Sequence, residues 1–567
     1  MPLKNLVSGQ LLFVCVLLLN EVVTVTGQSR SFGTLPILRP DNISGDRITT
    51  DLNHTEDFRH IEAIYKKLVN ARGDFRYPVP ALFLREEEGY VASMDYNELS
   101  VIIEKKAYDV CKKLGDPAIA FLLAHELTHY YEKHAWRSDF VFDLQGLEVA
   151  QNLKGLQDQV LNESQADYLG GFLAYSAGYG LFDKGGVVID SLYKAYKRPE
   201  KLDNYPSKAD RISMANKSAE KIRQLADIFD LANNLTITGN YGAAFDCYRH
   251  LLIQYQSCEI YNNTGSAAVL EALTQFNKDS LKYRYVTQLD IVFDGARSSE
   301  SNKESLLRQA IQYFDAAVSL DPDYAPGYLN KANAYALLNE DAKARFYIEN
   351  EAMPAMVRSK GKYPKTESDI LVLRGILEAK AGNKIKATDF FNAAIQLKNP
   401  AATFNKNVVE GIPNPVSGGL SASHFLNDSI GAMTLNKYFR APSHILSKQI
   451  EINKKKFIRQ SGGKKDFRIL LFTNENGTLK SSFVFLQAME GYTGKTVQNI
   501  GKGSTMDQVL AAYGQPDDMI SAVQGNILLY NGSIRQNDTA LGQNKLLIIT
   551  DDKNVVTKWM YYGITSN

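Results

Sequence analysis

The chain has 567 residues, more than one ordinary domain holds, so about two to four domains are expected, each able to bury a core. Its 64 Lys and Arg nearly balance 63 Asp and Glu, leaving a formal charge of +1. That excludes an overall field drawing the protein to nucleic acid or to an anionic membrane, and partner choice falls to local sites.

In chain order, residues 1–27 read as an export signal, cleaved in the mature chain, with a retained anchor as the alternative. Lys4 gives a positive start, Leu11 to Leu19 an apolar run, and Val25 to Gly27 a small-residue cleavage site. Nine apolar residues followed by Asn20 and Glu21 fall short of the roughly 20 that span a bilayer. The mature chain is therefore expected outside the cytoplasm, without a transmembrane segment. Cys15 leaves with the signal, and Cys247 and Cys258 could pair in an oxidising compartment. Of ten N-x-S/T sequons, Asn162 adjoins a candidate metal ligand, where a glycan would obstruct the site. This favours a bacterial, unglycosylated protein of the periplasm or cell envelope.

Residues 56–215 read as a mixed α and β segment. A helix is expected near Phe58 to Asn70, strand-like alternation in "GYVASMDY" and "LSVIIEKKAYDV", then two long helices. Asp116 and Pro117 start the first of these as N-cap and first-turn proline. Within it, "HELTH" places His125 and His129 four residues apart, on one face of a helix, where two imidazoles can close on one ion. Glu126 stands beside them to take a proton from a metal-bound water, the HExxH arrangement for one Zn²⁺ per chain.

The string alone is weak evidence, and a third ligand has to exist. His134 is not expected to be it, since a continuing helix puts it roughly 180° around from His125 and 140° from His129. The metzincin pattern fails at Glu132 and Ala135. In "NESQADYLGG", Glu163 and Asp167 share a face of a second helix as ligand and as partner for a histidine N–H. Glu148 is a rival ligand without such a partner. Ala166, Gly170, Ala174 and Ala177 form a small-residue stripe for close packing on the first helix.

"AHELTH", "ESQADYLGG" and "YPSKADRI" together resemble, in order, three blocks of gluzincin peptidases of the HtpX and CAAX prenyl protease group, BepA-like members included. The resemblance spans about Glu98 to Ala215 and implies a zincin-type protease domain. The family's histidine before the proline is Tyr205 here, and the gap from His129 to Glu163 is short for the family. Arg211 matches the family's arginine; it or Tyr205 could stabilise an oxyanion, and a structural salt bridge is as good a reading of Arg211. In gluzincins an edge strand before the active helix pairs with an extended substrate, and "ELSVIIEKKAYDV" occupies that place.

Residues 217–400 are helical and repetitive. Ala310, Phe314 and Ala317 recur 34 residues later as Ala344 and Ile348, then as Ala387, Phe391 and Ala394 behind Gly375. A degenerate copy stands at Ala244, Tyr248 and Leu251. These spacings resemble tetratricopeptide repeats, which BepA-like proteases also carry, and imply binding of protein partners.

A linker is assigned to 401–424, rich in Gly, Pro and Ser from Gly411 to Ser423. The strand-rich 425–567 follows, with strands at "FRILLFT", "SSFVFLQA", "NILLYN" and "KLLIIT". Over about 500–562, a G-x-[ST]-x-x-x-V helix start, a Gly-Pro turn and closing strands near a tryptophan resemble the BamE-like (SmpA/OmlA) domain, which implies a protein-binding module. The whole reads as a multidomain exported zinc endopeptidase acting on extended or misfolded polypeptides in envelope quality control. The alternative is a repeat-based scaffold or chaperone with little proteolytic activity. A non-proteolytic metal hydrolase fits the three blocks poorly, and no P-loop, GxSxG or dinucleotide fingerprint competes.

Overall fold

A computed structural model describes residues 52–86, 89–96, 98–134, 159–180, 184–200, 207–276, 281–289, 303–414, 429–430, 433–434, 446–452, 455–463, 467–474, 481–488, 492–523, 525–532 and 543–566. The signal, Glu148, Tyr205 and the end of the linker, 415–424, lie outside them. Helices dominate as far as residue 410, and a strand-rich region follows.

Helix α1 (Glu56–Arg72) starts at Thr55, whose hydroxyl accepts from the Phe58 N–H, and stops at Gly73, whose φ of 57° lies in the left-handed region that glycine enters without strain. Strands β1 (Ala81–Arg85), β2 (Ala92–Asp95) and β3 (Ser100–Glu104) form a sheet of order β1-β3-β2. β3 is parallel to β1 and antiparallel to β2. The stretch expected to offer an open edge thus supplies the central strand, and the edge against the HExxH helix is β2. β3 also ends earlier than the alternation suggests. The Glu104 carboxylate accepts from the Tyr90 N–H at 2.6 Å and the Tyr196 hydroxyl at 2.7 Å. Helix α2 (Lys105–Leu114) follows at once, burying Ala107, Tyr108 and Cys111.

Helix α3 (Asp116–Tyr131) carries the HExxH string. Gly115, not Asp116, is its N-cap; Asp116 opens the first turn and pairs with His60 Nε2 at 3.1 Å. α3 packs along α4 (Gln159–Ala174), and α4 along α6 (Lys208–Ile237), with α5 (Gly185–Ala195) between them in sequence. The small-residue stripe sets the α3 to α4 spacing: a Cβ on Gly170 would stand 2.8 Å from the main-chain nitrogen of His125. α6 is one helix of 30 residues, so the boundary assigned at 215–217 falls inside it. No helix breaker stands there, and Ala215, Ala219 and Ile222 carry the buried face straight through. One apolar core runs from Ile61 through Phe229 and Tyr248 to Phe314.

Helices α7 (Tyr241–Gln254), α8 (Cys258–Thr274), α9 (Lys303–Leu320), α10 (Ala325–Leu337) and α11 (Asp341–Tyr347) pack successively. After α12 (Met353–Arg358), so do α13 (Thr366–Lys380), α14 (Lys384–Gln396) and α15 (Pro400–Glu410). The periodic positions Ala310, Phe314, Ala317, Ala344, Ala387, Phe391 and Ala394 are all fully buried. The aromatics fill glycine notches on the preceding helix: a Cβ on Gly265 would lie 2.6 Å from Phe314, and one on Gly375 2.5 Å from Phe391. α15 occupies residues assigned to the linker. Asn399 caps it through the Ala401 N–H, Pro400 takes the first turn, and Gly411 ends it at φ 71°. Cys111, Cys247 and Cys258 are free and buried, so the pairing considered for the last two is not formed.

The segment 281–289 runs extended against the polar face of these helices. Asn405 accepts from the Arg284 N–H at 2.8 Å and donates to its carbonyl at 2.9 Å. Asn333 donates to the Val286 carbonyl at 2.7 Å, and Asn330 holds both main-chain groups of Gln288 at 2.7 Å. Alternate residues on one edge are thus bound through the backbone. The segment ends as β4 (Gln288–Leu289), parallel to β11 (Asp518–Ala522). A hairpin of β5 (Ser429–Ile430) and β6 (Met433–Thr434) precedes β7 (Leu446–Ile452), β8 (Lys455–Gly463), β9 (Phe467–Asn474) and β10 (Ser481–Ala488), and β12 (Gly525–Gly532), β13 (Gln543–Asp551) and β14 (Val556–Ser566) follow β11. β4 closes one end of a nine-stranded sheet of order β4-β11-β12-β13-β14-β10-β9-β8-β7, otherwise antiparallel. β9, β10, β12 and β13 fall where strands were expected. One short helix, Met506–Tyr513, lies against this sheet, closed at its start by a reciprocal Thr505–Gln508 cap.

Candidate metal centre

The centre is assembled from three helices. His125 and His129 leave the same face of α3, and their Nε2 atoms stand 3.1 Å apart. From α4, Glu163 brings one carboxylate oxygen to 3.4 Å from His125 Nε2 and the other to 3.6 Å from His129 Nε2. These three residues form the candidate metal-holding group among the described residues. Zn²⁺ in tetrahedral N and O coordination has bonds of about 2.0–2.1 Å, so adjacent donors stand about 3.3–3.4 Å apart. The observed separations bracket that value, and the donor set, two imidazoles and a carboxylate, suits zinc.

Asp167, one turn beyond Glu163, meets His125 Nδ1 at 2.9 Å. A carboxylate there keeps the proton on Nδ1 and leaves the Nε2 lone pair for the ion. Arg211, 1 % exposed on α6, lies behind both carboxylates, with Nη1 2.9 Å from Glu163 Oε2 and Nη2 3.7 Å from Asp167 Oδ1. Of its two sequence readings, these contacts match the salt bridge: Arg211 holds the carboxylates. Tyr205, the other candidate for oxyanion stabilisation, and the rival Glu148 lie outside the described residues.

The charges interlock. Burial pulls the His125 imidazolium down, but hydrogen bonds to Asp167 and Glu163 outweigh it and hold the pKa up to about 10, so an ion at Nε2 would displace a proton there. Burial favours protonation of Glu163, yet Arg211, then His125 and His129, hold it well below the carboxylate range. His129 is pushed well below its ordinary value, first by burial, which keeps one ring nitrogen unprotonated. Glu126 is 1 % exposed, and its carboxylate has no side-chain hydrogen-bond partner, the Met94 main chain being its polar support. Burial pushes it up to about 8. A buried carboxyl so sparsely hydrogen-bonded beside a ligand cluster is costly for stability and suited to moving a proton.

His134 departs from the sequence expectation. The helix stops at Tyr131, and Lys133 adopts φ 56°, turning the chain back. The His134 ring returns against the far side of His129, Nδ1 to Nδ1 at 2.8 Å. It is not a third ligand, but neither does it face away. Sequence reasoning missed this contact, together with Gln165 beyond it, because helical angles apply only while the helix lasts.

No family model matches the chain, and no curated protein matches it.

Proposed function

We propose that the chain is an exported zinc-dependent endopeptidase that cleaves extended or misfolded polypeptides, with BepA-like gluzincins as the nearest analogy. One observation carries the reading: two imidazole nitrogens and a carboxylate converge at tetrahedral spacing, with the buried Glu126, free of side-chain partners, one residue from the first ligand. Zinc bound there would polarise the scissile carbonyl and acidify a water. His125, His129 and Glu163 would hold it, and Asp167 and Arg211 keep two of those side chains in place. Glu126 takes the proton of the attacking water and passes it to the departing amine. β2, lying against α3, is the strand along which an extended substrate would pair. Among the described residues no helix is long and apolar enough to cross a membrane.

The helical region, read as tetratricopeptide-like, and the BamE-like module would serve protein binding. Because Asn330, Asn333 and Asn405 already hold the chain's own main chain, partners of the repeats would use the remaining faces. The test is cleavage of an unfolded polypeptide by the mature chain. Glu126→Gln should retain zinc and lose at least about 10²-fold in rate. Equal rates for wild type and variant would refute the reading.

A further inference from the structure

Resting on the metal-centre reading, we infer that His134 is the positioning residue of the second ligand, His129, and that it ties this ligand to Arg72 through a directed chain of hydrogen bonds. The His134 ring is buried at 3 % exposure. It meets the His129 ring edge to face, with centroids 4.8 Å apart and planes at 83°.

A neutral imidazole carries one N–H. With the Nε2 of His129 turned to His125 and Glu163, a lone pair at that atom requires the proton on Nδ1. That N–H then donates to His134 Nδ1, which stands 2.8 Å away. As acceptor there, His134 carries its own proton on Nε2, 3.3 Å from Gln165 Oε1. The Gln165 amide donates in turn to Glu132 Oε2 at 3.2 Å, and Glu132 Oε1 accepts from Arg72 Nη2 at 3.3 Å. Arg72 is fixed between the rings of Tyr131 and Tyr255, 5.2 Å from each centroid, and donates to the Gln256 carbonyl at 2.9 Å.

In this direction each N–H along the chain meets an acceptor, and His129 Nε2 is left for a metal. The two ligands are therefore oriented differently, His125 by the carboxylate of Asp167 and His129 by a neutral imidazole anchored on an arginine.

The experiment uses the full mature chain with Co²⁺ as probe. Affinity is measured by competition with a chelator, the ligand field is read from the visible absorption bands, and folding is followed by melting of the metal-free protein. His134→Phe should keep the metal-free melting temperature, weaken cobalt binding about 10–100-fold and shift the cobalt bands. His134→Asn offers an amide oxygen near the place of Nδ1 and should recover most of the affinity. Unchanged affinity and spectrum in His134→Phe would overturn the inference, as would an Asn variant no better than Phe. Should the Phe variant not fold, Gln165→Leu decides: weakened binding in a folded chain supports the relay, and unchanged binding overturns it. Absence of cobalt binding by the wild type would remove the metal centre itself, a failure distinct from the others.

Discussion

The α3–α4 centre and the asparagine-lined face of the helical region are both buried, polar and built from several elements, yet they differ in what they leave unmet. At the helical face, Asn330 exchanges two hydrogen bonds with the Gln288 backbone and also reaches Asn262 and Ser266. The ligand there is the chain itself. At the α3–α4 centre the Nε2 atoms face one another and neither Glu126 oxygen has a side-chain partner. The asparagine face leaves scattered atoms unmet, Thr287 Oγ1 and Asn333 Oδ1, while its main-chain bonds stabilise the fold; a cluster that concentrates unmet groups around a single point is arranged for something the chain does not supply.

Four substitutions break or sharpen that contrast, from largest effect to smallest. Arg211→Met leaves Glu163 and Asp167 buried without their cation. It should cost about 3–5 kcal/mol in denaturant unfolding of the metal-free chain and weaken zinc retention as well. Asn330→Leu strands the main-chain N–H of Gln288, whose carbonyl keeps Asn262 and Ser266. A loss of about 1–3 kcal/mol is expected, with zinc content unchanged; a change in zinc content would mean the two regions are not separable. Gly375→Ala forces a methyl into Phe391, whose ring atoms lie 2.5 Å from the added carbon, for about 1–3 kcal/mol by thermal melting. Gly170→Ala, against the His125 backbone at 2.8 Å, should cost a similar amount, but with a loss of zinc affinity that Gly375→Ala lacks, because it moves α3 relative to α4.

Much of the centre was legible because its geometry is local. Four-residue spacing on a helix fixes both His125 with His129 and Glu163 with Asp167, and a glycine and alanine stripe says which helix faces meet. His134 was illegible for the opposite reason. Its place depends on a left-handed Lys133, with neither glycine nor proline to announce the turn. Lys133 is held there by Tyr77, whose hydroxyl it meets at 2.7 Å and whose ring it covers at 4.5 Å, a contact 56 residues away.

The periodic core of the helical region was readable from Ala310, Phe314 and their copies. The Gly265 notch for Phe314 was not, since the extended segment separates α8 from α9 in sequence. That segment, Tyr283 to Leu289, has little local signal of its own, and its partners come from α8, α10, α13 and α15. The end of β3 was misread because apolar alternation runs on past Glu104, and only the distant Tyr196 shows why the strand stops. The helix Pro400–Glu410 carried its signals openly in Asn399, Pro400 and Gly411, but was absorbed into the Gly and Pro-rich stretch that follows.

The most direct test of the central claim is the zinc content of the purified mature chain beside Glu163→Ala, both melted in chelator to confirm their folds. The account predicts one zinc per wild-type chain and essentially none in the variant. No zinc in the wild type, or equal zinc in both, would contradict it.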